Sequence, residues 1–183
     1  GGVLDADESL AVSGALTQGG NITIDVADGK TLTYSGAAVN LGANTMTLSG
    51  EGTFSNTNAL VLNNASSKLL LSSSITVGSV STSLASLGLD VDNNSTVSSL
   101  TVGHTTPVSI ASGKTLSGAI TVTAGSIKLD EAGTLASTIS MSGGTLDADN
   151  SSTVSGTLTQ AGSITIDVAD DKTLTYSGAA LSL

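Results

Sequence analysis

His104 is the lone histidine of a 183-residue chain that has no cysteine and no arginine. Any chemistry must therefore come from it, from fifteen carboxylates, from five lysines or from the abundant hydroxyls. The histidine stands in "VGHTTPV" beside Pro107, without the carboxylate or serine neighbour that would build a nucleophilic triad. It reads as an exposed loop residue, and no enzyme is expected.

The carboxylates gather in short groups: Asp25 and Asp28, Glu51, Asp90 and Asp92, Asp130 and Glu131, Asp147 and Asp149, Asp167 and Asp170. Stacked along one edge, such oxygen ligands suit calcium, and Asp147, Asp149, Asp167 and Asp170 are the candidate ligands. The glycine-rich nonapeptide of calcium-binding rolls is absent, and the acids vanish from 54–74 and 97–115. A fold that needed metal would need ligands in nearly every coil, because binding energy there becomes folding energy. A solvated, charged turn is the expected reading, with no cofactor required.

The hydroxyls form a third pattern. Thr31 and Thr33 flank an apolar residue, as do Thr173 and Thr175, and Thr53, Thr96, Thr115 and Thr153 recur at the same mark with serine on the far side. Held in register, they would present hydroxyl and methyl groups as a ladder, the kind of surface that ice-binding solenoids use. Threonine also simply suits strands and pairs well between neighbours, and Ala136 interrupts the series. Strand chemistry is the first reading and a ligand face the second.

Composition narrows the partners. A net charge of −10 with five lysines opposes binding to a phosphate backbone. No run reaches the eighteen or so apolar residues that span a bilayer, and "GGVLDADESL" lacks the features of a signal peptide. With 39% hydrophobic residues but 2% aromatics, the chain must pack through Val, Ile, Leu and Ala. Phe54, Tyr34 and Tyr176 read as packing residues rather than a sugar-stacking platform.

What could position these groups is written in a repeat. "NITIDVADGKTLTYSGAAVNL" at 21–41 returns as "SITIDVADDKTLTYSGAALSL" at 163–183, and 4–41 matches 146–183 at 29 of 38 positions without a gap. The unit is thus 142 residues, and the chain reads as one unit plus the opening of the next. Inside it, lines of 19 to 22 residues begin near Val12, Leu32, Phe54, Ile75, Val97, Leu116, Leu135, Val154 and Leu174. Apolar and small polar residues alternate within each line, as in "LTYS", "AITVT" and "TISMS", which is the period of a half-buried strand.

A coil of about twenty residues cannot bury its apolar face alone, but stacked copies form one core. The expected fold is all-β, a single continuous parallel β-solenoid of about nine rungs over 1–183. The line-opening residues predict one interior column. Leu16, Leu60, Val80, Leu100, Ile120, Ile139 and Leu158 predict a second, and Ile24, Leu48, Leu69, Val91, Ile110, Leu129, Leu146 and Ile166 a third. The rival architecture, a string of β-sandwich modules, would not keep a Thr-apolar-Ser mark near every twentieth residue.

Coils of the type "GTLASTISMSGGTLDADNSST" resemble the parallel β-helices of filamentous-haemagglutinin-type adhesins and autotransporter passengers. The resemblance implies a right-handed β-helix in a long, exported, cell-surface shaft, and it transfers no functional residue. The resulting expectation is a structural repeat, the shaft of an extracellular bacterial adhesin, fibre or sheath. Its partners would be neighbouring copies of the same repeat, end to end or laterally, with no nucleic acid and no membrane insertion of this segment. The alternative is a ligand-binding module for ice or glycan.

Overall fold

The alternation of inward apolar and outward polar residues produces strands throughout and, among the described residues, no helix. The computed structural model describes residues 1–179, so 180–183, the end of the repeat match, lie outside it. Nine strands form one sheet: β1 (Gly2–Ala6), β3 (Ile22–Val26), β6 (Thr45–Ser49), β9 (Lys68–Leu71), β11 (Gly88–Val91), β13 (Thr106–Ile110), β15 (Ser126–Leu129), β17 (Thr145–Ala148) and β20 (Thr165–Val168). Twelve form the other. They are β2 (Leu10–Val12), β4 (Thr31–Tyr34), β5 (Val39–Asn40), β7 (Thr53–Asn56), β8 (Leu60–Leu62), β10 (Thr76–Thr82), β12 (Ser95–Val102), β14 (Thr115–Val122), β16 (Thr134–Met141), β18 (Ser152–Val154), β19 (Leu158–Gln160) and β21 (Leu174–Tyr176).

The chain passes from one sheet to the other and back, and each strand pairs in parallel with its equivalent one turn later. This is a parallel β-solenoid of about nine turns, with the core between the sheets. Neither sheet breaks where the second copy of the unit begins. Across that seam β15 pairs with β17, and β16 with β18 and β19, in unbroken register.

From Leu60 on, the second predicted column stands as read, since Leu60 faces Val80 and then Leu100, Ile120, Ile139 and Leu158 follow in register; Leu16, its predicted first member, packs against the core but lies on no strand. Val39 precedes Leu60 in it and was missed. The first column is inward-facing throughout but slips in register. Leu10, not Val12, faces Leu32; Val77, not Ile75, faces Phe54; Gly118 faces Val97; and Tyr176, not Leu174, faces Val154. The third splits into three parallel columns: Ile24, Leu48, Val91 and Ile110 share one, Leu69 and Leu129 lie on a second with Met46 and Val108, and Leu146 and Ile166 on a third with Ile127. Each slip is by two residues, which returns a strand side chain to the same face.

Successive coils are 19 to 24 residues long rather than 19 to 22. The longest steps are 24 from Ile22 to Met46 and 23 from Met46 to Leu69. The extra residues lie where β5 and β8 stand apart from β4 and β7, while β10, β12, β14 and β16 each fuse both segments into one long strand.

Turn side chains tie neighbouring coils. Asn58 Nδ2 donates to the Gly36 carbonyl (2.9 Å) and Asn93 Nδ2 to that of Ser72 (3.1 Å). The Thr45 and Thr115 amides donate to Asn21 Oδ1 and Asn94 Oδ1. Each bond occupies a backbone group that the turn takes out of the ladder.

Candidate functional site

The topology sorts charge completely. Seven charged residues lie on strands, Asp5, Asp25, Lys68, Asp90, Lys128, Asp147 and Asp167, and every one belongs to the nine-stranded sheet. The other thirteen occupy the turns that lead from that sheet into the twelve-stranded one, from Asp7 and Glu8 to Asp170, Asp171 and Lys172. The twelve-stranded sheet and the turns leaving it hold no Asp, Glu or Lys; His104, exposed between β12 and β13, is their one histidine. One half of the circumference is charged, and the other is a flank of Ser, Thr, Asn, Gly and Ala.

On the charged half, ion pairs cross from coil to coil. Lys30 meets Glu8 at 2.7 Å and Lys68 meets Asp90 at 2.6 Å, while Lys128 contacts Asp149 of the next coil and, within its own coil, Asp130. All are partly exposed, and such pairs contribute about 0–1 kcal/mol each. Of the calcium candidates, Asp147 and Asp167 are in-register neighbours, Asp149 is engaged by Lys128, and Asp170 lies in the next turn. Among the described residues no three acidic or histidine side chains come together as a metal cluster.

On the uncharged half, the predicted threonine ladder is two ladders. Thr31, Thr53, Thr76 and Thr96 stack in register, but Thr96 then faces Ser117. Thr115 instead begins a second run, through Thr134 and Thr153 to Thr175. Thr33 lies beside Ser55, and the Thr173 amide donates to Ser151 Oγ, so Thr173 stands outside the run. The break coincides with the register shift between Val97 and Leu100. A third ladder escaped the sequence reading, Ser81, Thr101, Thr121, Ser140 and Thr159, unbroken over five coils. Its only signal is the Ser or Thr just after each residue of the second interior column from Val80 to Leu158.

The first coils hold concavities. A cleft of about 200 Å³ is lined by Leu16, Thr17, Gln18, Tyr34 and Asn40, and Gln18 Oε1 is buried there without a partner. Tyr34 is 2% exposed, with its hydroxyl donating to the Ala37 carbonyl and accepting from the Leu16 amide. It is a packing post, and its ring offers no face for a sugar. Comparisons of the chain with protein-family models, with curated proteins and with solved structures found no match. Fold and surface therefore define the class, a tandem-repeat β-solenoid with one charged and one uncharged flank.

Proposed function

We propose that the chain is a shaft segment of a long extracellular surface protein, an adhesin, fibre or sheath, whose work is mechanical. The observation that carries this is the seam: the second copy of the unit stacks on the first with both sheets continuous, β17 on β15 and β18 and β19 on β16. Units joined in this way add length without a hinge, because parallel backbone ladders and an aliphatic core run through every coil. Seven coils at the ~4.8 Å strand spacing add ~34 Å per unit. The cysteine-free composition and the resemblance to adhesin and passenger β-helices support an exported setting. No helix among the described residues is long and apolar enough to cross a membrane.

The test is contour length against unit number. Chains of one, two and four units, imaged by electron microscopy, should lengthen by ~34 Å per unit at constant width. Lengths that fail to grow in step, or units that bend freely at their seams, would contradict the shaft. Surface labelling of producing cells tests the location.

The second reading, a ligand face for ice or glycan, has the in-register hydroxyl ladders in its favour. Arrest of ice growth that is lost on replacing Thr101 and Thr121 by lysine would favour it.

A further inference from the structure

The uncharged flank carries one apolar feature. Among the described residues, four of the six exposed large hydrophobics, Val3, Leu4, Ile166 and Val168, lie on the first or last coils, where neighbours are missing on one side. Leu84 and Leu87 are different: they stand in mid-stack, 50% and 58% exposed, on the turn from β10 to β11. Between them Ser86 Oγ is buried without a hydrogen-bond partner. The turn follows directly on Ser81, where the unbroken hydroxyl ladder begins its run through Thr101, Thr121 and Ser140.

We propose that this flank is a lateral docking surface for a second copy of the same chain, with Leu84 and Leu87 as its anchor and the hydroxyl ladder beside them as the contact face. Three observations select that occupant. With a net charge of −10 sorted onto the other half, this is the side on which two copies can meet without opposing their carboxylates. The strip beside the ladder, five residues wide and seven coils tall, covers ~550 Å² per copy at ~3.3 Å per residue and ~4.8 Å per coil. Doubled, this just clears the ~1,000 Å² of a specific interface.

The third is period. One leucine pair per 142-residue unit recurs every ~34 Å along an array, and a second array of the same unit presents the same repeat in phase. Many weak contacts then add. This goes beyond the shaft reading, and it is tested on the single chain.

The experiment is sedimentation equilibrium with solution scattering, up to millimolar chain concentration and at low and high salt. The expected result is a weak dimer of doubled cross-section and unchanged length, strengthened by salt as it screens the residual like-charge repulsion. Leu84→Asp/Leu87→Asp should weaken it at least tenfold, as should Thr121→Glu. Thr47→Glu, on the charged sheet, should leave it within twofold. Circular dichroism checks that each variant stays folded, and the exposed sites of the leucine pair and Thr121 make that the expected result.

A chain that stays monomeric at millimolar concentration in high salt would overturn the proposal. So would dimers that double in length at unchanged width, or association indifferent to the leucine pair. Ice binding or neutral-polysaccharide binding by monomers through these residues would assign the flank to another occupant and overturn it equally.

Discussion

The two copies of the repeat are nearly the same sequence in two different positions of one stack. In the first copy Ile24 and Val26 are fully buried, beneath β6; in the second, Ile166 and Val168 are 46% and 37% exposed, because no later described strand pairs with β20. At the other edge the relation reverses. Leu158 to Gln160 form β19 on β16, whereas Leu16 to Gln18 have no preceding coil and form no strand. Order in this fold is thus supplied by the neighbour, and a sequence of short alternating runs acquires its structure when a like coil stands on each side.

The comparison can be broken most sharply at its core. Ile24→Asp should destabilise by ~4 kcal/mol or more, because it places an unpaired carboxylate in the core. Ile166→Asp, the same change at the half-exposed equivalent, should cost under ~1 kcal/mol. Urea unfolding of both variants checks this, and equal costs would mean that the coils do not depend on their neighbours.

Glycines give the mirror-image test. A Cβ on Gly156 would lie 1.8 Å from the Ser137 carbonyl oxygen of the coil before, whereas one on Gly14, its equivalent, meets nothing within 4 Å. Gly156→Ala should therefore cost ~2 kcal/mol or more, and Gly14→Ala ~0.5 kcal/mol or less. Thermal melts of the two variants should separate by several degrees.

The smallest effect concerns the turn before each threonine mark. Gly29 has φ of 68° and Asp171, at the matching place, φ of 60°. A left-handed conformation is free for glycine and strained for aspartate. Asp171→Gly should stabilise locally by ~0.5–1 kcal/mol, read as slower amide exchange in the last described turn.

The period-two pattern and the 142-residue offset made the solenoid, its coil count and the column from Leu60 to Leu158 legible. They could not set the register of Val12, Ile75 or Leu174, since a slip of two residues keeps every side chain on its face. The lengths of the coils around Met46 were hidden for a related reason. Their extra residues fall in Gly, Ala and Asn turns that carry no alternation.

The acidic groups were visible as a pattern, but the uncharged flank was not, because it exists only once each strand is assigned to a sheet. Leu84 and Leu87 read as two more apolar residues in "STSLASLGLD" until the fold leaves them outside.

The central claim is that a neighbouring coil, and not local sequence, orders each strand. Hydrogen exchange on β3 and β20 within one chain tests it most directly, since their sequences agree from Ile22 to Val26 and from Ile164 to Val168. In the present chain β3 should be protected near the global limit and β20 should exchange orders of magnitude faster. When the chain is extended by one further unit, β20 should slow to match β3. Equal protection of the two strands in the present chain, or a β20 that stays fast after extension, would contradict the account.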